Sequence, residues 1–321
     1  MKLLLLGGPR FLGRAVTDAA LAAGHELTLF NRGQTGVDLY PEVERLHGDR
    51  DGGLDALCGR SWDAVIDTCG YVPRVVEAGA ELLRDAAAHY VFVSSISVYA
   101  SFDHVVTEDS PLAALGDPGS ENVREHYGAL KALCEGAVER SFAGRATHVR
   151  AGLIVGPHDP TGRFTYWPHR VRRGGEMLVP GPLDREIQFV DVRDLASWIV
   201  RCASERSAGP FNATGSSTMR ALVDTARGAT GDRLVVVEAD PAFLVEHEVG
   251  EWMELPLWID TSKPDWRLFM SVSTSRAVAA GLRFRPLAET VTATLELAAP
   301  VEGVGLTAER EAALLAAWHS A

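Results

Sequence analysis

Tyr127 and Lys131 stand four residues apart within Arg124–Ser141, a stretch whose pattern predicts a helix. That spacing puts a phenol and an ammonium on one helical face, one turn apart. A free tyrosine has a pKa of ~10 and is a poor acid–base group at neutral pH. A nearby cation favours phenolate and draws that value down, so the pair suits proton exchange with an alcohol or carbonyl oxygen. Lys131 can also hold a ribose. Upstream, Tyr90–Ser94 reads as a strand that runs into a hydroxyl-rich end, Ser94-Ser95-Ile96-Ser97, and a serine there can polarise the same oxygen. Tyr-x-x-x-Lys recurs by chance on exposed helices, and its weight here comes from the elements that precede it.

The first of these is Gly7-Gly8-Pro9-Arg10-Phe11-Leu12-Gly13, between an apolar run (Lys2–Leu6) and an amphipathic stretch from about Phe11 to Ala23. Glycines in such a turn let the backbone approach a pyrophosphate, and the following helix N-terminus supplies free N–H groups and partial positive charge. Gly7, Gly8, Arg10, Phe11, Leu12 and Gly13 are therefore the cofactor-binding candidates of the loop; the competing reading is a tight turn. An acidic residue ~20 positions further on would hold an adenosine ribose 2′-hydroxyl, as in NAD sites. Asn31-Arg32 stand there instead. Arginine offers a charged planar fork for a 2′-phosphate. NADP(H) is thus expected ahead of NAD(H), with a solvated turn as the alternative for Arg32. Asp49 could face adenine or be a surface turn acid.

These groups need a scaffold. Short apolar runs (Lys2–Leu6, Glu26–Phe30, Val43–His47, Trp62–Asp67, Tyr90–Ser94, Thr147–Val155) alternate with helical patterns. The expectation is an α/β fold, a Rossmann-type doubly wound parallel sheet with a smaller C-terminal substrate lobe. Residues 1–155 and about 185–214 would form the NAD(P)-binding domain, and about 156–184 with 215–321 the lobe. Asp191 is a candidate N-cap for a helix reaching about Ser204, with Asp194 at its third position.

Several residues could meet a ligand. Cys69-Gly70-Tyr71 follows the fourth strand, at the sheet edge where doubly wound folds bind ligands, and Cys69 joins the cofactor set. Tyr71 would border nicotinamide or substrate, or simply pack. Arg163-Phe-Thr-Tyr166-Trp167 offers a cation and flat surfaces for gripping a carboxylate or phosphate or stacking on a ring; its bland reading is lobe core. His169–Arg173 could touch a nucleotide diphosphate or be a solvated helix face, and Trp252–Trp258 could be a lid or core.

Taken together, the glycine loop, Ser94-Ser95-Ile-Ser-Val-Tyr99, Tyr127-x-x-x-Lys131 and Arg150 with Gly156-Pro157 occur in an order that resembles the extended short-chain dehydrogenases/reductases. Over nearly the whole chain the likeness is to the NAD-dependent epimerase/dehydratase family, as an atypical branch. The resemblance implies Ser95, rather than Ser94, as catalytic hydroxyl, Tyr127 as acid–base group and Lys131 as its partner. Leu6 and Arg10 replace the threonine and middle glycine of that family's loop. Ile96-Ser97 stand where sugar-nucleotide dehydratases carry an Asp-Glu pair, which disfavours that elimination.

With 46% hydrophobic and 23% charged residues over 321 positions, the chain has the mix of a globular protein, not a disordered or collagen-like one. A net charge of −12 argues against whole-surface attraction to nucleic acid or anionic membrane. Gly7, Gly8 and Arg10 cut the N-terminal leucine run short of a signal peptide, and nothing approaches the ~20 apolar residues of a membrane span. Four scattered cysteines suggest reduced thiols rather than disulfides or a metal site, and a cytoplasmic setting. The expected activity is hydride transfer between nicotinamide and a carbonyl or secondary alcohol of a small molecule, with a homodimer possible and no metal. The alternatives are a nucleotide-sugar epimerase with tightly bound NAD and a non-catalytic nucleotide-sensing or RNA-binding protein.

Overall fold

In a computed structural model, which describes residues 1–231 and 233–320, the leucines of β1 (Lys2–Leu6) are all fully buried. Leu3 and Leu5 join one core and Leu4 and Leu6 another. A strand apolar on both sides is what a parallel sheet covered on both faces requires. β1 pairs in parallel with β2 (Glu26–Asn31) and β4 (Trp62–Asp67); β3 (Glu44–His47), β5 (Ala87–Ser95) and β6 (Ala146–Ala151) extend the sheet. With β10 (Gly209–Ala213) on the far edge, the order is β10-β6-β5-β4-β1-β2-β3. α1 (Leu12–Ala22) and α5 (Val192–Glu205) pack together on one face, α2 (Pro73–Leu83) and α3 (Val123–Ser141) on the other. The order reverses between β1 and β4, so the loops after these strands diverge and leave a crevice at their carboxyl ends.

The remaining strands form smaller sheets. β9 (Glu186–Asp191) pairs antiparallel with β11 (Gly215–Thr218) and parallel with β7 (Ile154–Val155), while β8 (Gly175–Pro180) pairs with β12 (Leu234–Ala239). β9 thus lies between β7 and β11, and α5 follows it directly onto the large sheet beside α1. Asp191 does cap α5, accepting a hydrogen bond from the Arg193 N–H. α4 (Tyr166–Arg173) and α6 (Met219–Thr230) pack on each other in the second core. Arg170 anchors α4 to the last helix through a buried pair with Glu311 at 2.7 Å, which Arg173 joins at 3.1 Å.

One buried network fixes α3 on the sheet. Glu135 accepts hydrogen bonds from Arg150 Nε (3.0 Å) and Nη2 (2.7 Å) on β6 and from Ser94 Oγ (2.6 Å) on β5. Arg150 Nη1 donates to the Tyr99 hydroxyl and the Glu108 carbonyl, and Tyr99 donates to Asn212 on β10. A buried ion pair is costly to break by removing one member, because the survivor keeps an unpaired charge. Glu135→Ala should lower unfolding free energy by about 3–5 kcal/mol in urea titrations; a loss below about 1 kcal/mol would mean the network does not hold α3.

Candidate active site

The glycine loop lies at the crevice floor. Gly7 has φ +135° and donates to the Phe30 carbonyl; a Cβ there would sit 2.3 Å from Thr68 Oγ1. A Cβ on Gly13 would sit 2.1 Å from the Gly8 carbonyl oxygen, so α1 starts hard against the loop. Around Gly8 the nearest atom to an added Cβ is Thr35 Oγ1 at 3.8 Å, leaving its crevice side open for a ligand. Phe11 takes φ +43° at the N-cap, and no side chain caps the helix. The Gly13 N–H is donated to the Arg10 carbonyl, which leaves the rest of the uncapped first turn and its dipole to face an anion. These features fit a dinucleotide pyrophosphate.

Beneath the loop after β4, Asp67 is fully buried. It accepts from Arg50 Nη1 (2.6 Å), the Tyr90 hydroxyl (2.8 Å) and the Cys69 N–H (3.0 Å). That holds Cys69–Tyr71 at the crevice edge. Burial, then Asp67, pushes the Cys69 thiol up to about 11, so it stays protonated and is a poor nucleophile.

Across the crevice, α3 meets the end of β5. A Cβ on Gly128 would lie 2.0 Å from the Ser97 carbonyl oxygen, so the helix backbone touches the turn after Ser95. His126 breaks helical geometry (φ −118°, ψ 29°) just before Tyr127. The two serines separate in role: Ser94 binds Glu135, whereas Ser95 Oγ accepts from the Ser97 N–H and lines the crevice. Burial holds the Tyr127 phenol above its ordinary value, and the neighbouring Ser95 side chain and the charge of Arg163 pull against that shift.

Lys131 Nζ donates to the Gly70 (2.6 Å) and Val93 (2.7 Å) carbonyls and lies 4.1 Å from the Phe92 ring centroid. Burial lowers its pKa to about 8. The charge of Arg163 also acts on the Tyr127 phenol, from the lobe side of the crevice. Lys131 ties strand β5 to the Gly70 turn and still borders the crevice.

The crevice encloses about 1050 Å³. Among the sequence candidates, Gly8, Arg10, Phe11, Leu12, Gly13, Cys69, Tyr71, Ser95, Tyr127, Lys131 and Arg163 line it. Gly7 and Asn31 brace the loop, Asn31 Nδ2 donating to the Gly7 carbonyl at 3.3 Å. Arg32 is exposed, and Asp49 closes a turn by accepting from the Asp51 N–H. Tyr166 and Trp167 are corrections. Both are buried in the second core, Tyr166 against Gly305 and Trp167 with its indole N–H on the Pro256 carbonyl, and neither lines the crevice. His169–Arg173 is likewise structural, its arginines engaged by Glu311 and His169. Sequence reasoning missed Thr161, Gln188, Trp266, Phe269 and Met270, which line the crevice from distant segments. Of Trp252–Trp258, Trp252 lines it and Trp258 is core. Among the described residues, no helix is long and apolar enough to cross a membrane.

Residues 3–213 match the NAD dependent epimerase/dehydratase family. The chain belongs to that family. Solved structures of similar fold include WbmG of Bordetella bronchiseptica in complex with NAD and UDP (18% identity, TM-score 0.67, 92% of this chain and 94% of that one). Another is the Thermus thermophilus UDP-glucose 4-epimerase complex with NAD (20%, TM-score 0.61, 92% and 98%). A third is the UDP-N-acetylglucosamine 4-epimerase of Bacillus cereus (16%, TM-score 0.67, 95% and 99%). A curated relative, the chloroplast stem-loop binding protein of 41 kDa b from Arabidopsis thaliana, is 27% identical over 234 residues, which are 67% of this chain and 58% of that protein.

A lysine whose folded pKa lies below its unfolded value makes the unfolded chain bind more protons between the two, so stability rises with pH there. For Lys131 that window runs from about 8 to 10.5. Wild type should gain stability across it relative to Lys131→Met; parallel curves from urea titrations would mean Lys131 is not held in this way.

Proposed function

We propose that this family member catalyses NAD(H)-dependent hydride transfer at a carbonyl or secondary alcohol carbon of a small molecule bound in the crevice. One observation carries the reading: the Tyr127 phenol and the Ser95 hydroxyl meet in a single crevice continuous with the open side of the Gly8 loop. When bound, the dinucleotide donates or accepts the hydride. Tyr127 gives a proton to the carbonyl oxygen on reduction and takes it back on oxidation, and Ser95 donates a hydrogen bond to that oxygen. Arg163 stabilises the phenolate that reduction leaves. Gly8, Gly13 and the N-terminus of α1 hold the pyrophosphate, with Lys131 at the ribose.

NAD is bound in the similar WbmG and Thermus thermophilus UDP-glucose 4-epimerase structures. Arg32, exposed and without a hydrogen bond among the described residues, is the group that would add affinity for a 2′-phosphate. Arg32→Ala should cut NADP affinity about 10-fold and leave NAD affinity unchanged; equal effects on both would remove Arg32 from cofactor choice.

A second reading, a nucleotide-sugar epimerase that retains NAD, is favoured by Arg185. Its Nη2 is buried without a partner beside a 190 Å³ cavity that shares Trp266, Phe269 and Met270 with the crevice. NAD copurifying with the protein and unchanged after turnover would select it, whereas stoichiometric consumption of cofactor selects the first. A nucleic-acid role, as in the name of the curated relative, has against it the net charge of −12 and the internal pairing of Arg170 and Arg173.

Tyr127→Phe should lower turnover by about 10²–10⁴-fold while NAD binding persists. Turnover equal to wild type would end the assignment.

A further inference from the structure

The lobe-side wall of the crevice is aromatic and carries one available cation. Trp252 and Phe269 meet edge to face at 5.5 Å between centroids, and Phe269 and Trp266 lie 5.4 Å apart. Met270 continues the wall, and Trp266, stacked on Phe102 and 42% exposed, presents a ring to the crevice. The polar side chains on this wall are mostly engaged within the protein. Gln188 exchanges hydrogen bonds with the Val272 backbone in both directions. Glu251 accepts from the Asp260 N–H and from Lys263 Nζ at 2.9 Å.

Two groups are left over. The Arg163 guanidinium lies 5.2 Å from the Trp252 ring centroid and, among the described residues, has no hydrogen bond or ion pair; Asp159 is the acid whose field reaches it. Thr161 Oγ1 is buried with no close hydrogen bond, beside the Asp159 carboxylate that takes the Thr161 N–H at 2.8 Å. A sugar ring needs several free donors and acceptors to replace its water, and this wall offers two. A flat apolar body with a single anionic group matches it better. The aromatic wall removes apolar surface from water, and the planar guanidinium takes a carboxylate by a charge-assisted pair.

We propose that the substrate is an aromatic or similarly flat apolar carboxylate, with its carboxylate on Arg163 and Thr161 and its body against Trp252, Trp266 and Phe269. This rests on the hydride-transfer reading for its chemistry, but its test needs no turnover. The probes are 2-naphthoate, the neutral 2-naphthylmethanol and UDP, each titrated into the NAD-loaded protein and read by quenching of tryptophan fluorescence and by calorimetry. The expected result is that 2-naphthoate binds about 10-fold or more tightly than the alcohol. Arg163→Gln should erase that preference with the alcohol's affinity unchanged, and Arg163→Lys should retain part of it. Equal affinity for acid and alcohol in the wild type would overturn the proposal. So would an equal loss for both probes in Arg163→Gln, or UDP binding more tightly than 2-naphthoate. Naphthoate selectivity together with an active Tyr127→Phe protein would uphold this proposal while ending the catalytic assignment.

Discussion

The contact between Gly128 and the Ser97 carbonyl is the constraint on which the site depends. Any side chain at position 128 would enter the space of that oxygen, 2.0 Å from the would-be Cβ. Bare backbone lets α3 lie directly on the turn that ends β5, and only then can a phenol from the helix reach a hydroxyl from the strand. The Glu135 network supplies the complementary restraint two turns further along, tying the same helix to β5 and β6. Close approach at one end and a buried ion pair in the middle fix the helix in both position and rotation.

The same helix also sets the contacts of Lys131. One turn below Tyr127 the helix faces the edges of β5 and the Gly70 turn, where two carbonyls point at the ammonium. Those carbonyls replace some of the hydration that burial removes, and the lysine becomes a clamp between strand and loop. The charge of Arg163, on the opposite wall, also acts on the phenol. The acid–base centre is thereby joined to the substrate wall, and a ligand anion on Arg163 would feed back on Tyr127.

What the sequence disclosed follows from the range of the interactions involved. The glycine loop, the parallel alternation of strands and helices, and the places of Ser95 and Tyr127 on a strand end and a helix are encoded by spacings of a few residues within one strand, turn or helix. The contacts of Lys131, Tyr166 and Trp167 are not, because each is set by a distant segment: the Gly70 carbonyl, Gly305 and Pro256 respectively. Within Arg163–Trp167 only the arginine lines the crevice, since the two aromatics turn into the core built by the C-terminal helices. The basic run His169–Arg173 looked like a ligand surface only because Glu311, its counter-charge, lies more than a hundred residues later. β9 likewise pairs with segments distant in sequence, β7 and β11.

The most direct measurement is a crystal structure of the protein with NADH bound. The account predicts the pyrophosphate on the open side of Gly8 at the start of α1. The nicotinamide C4 should face a space within about 3–3.5 Å of both the Tyr127 phenol and the Ser95 hydroxyl, where a reacting carbonyl fits. A dinucleotide bound elsewhere, or a nicotinamide ring turned away from those two hydroxyls with α3 unmoved, would contradict it.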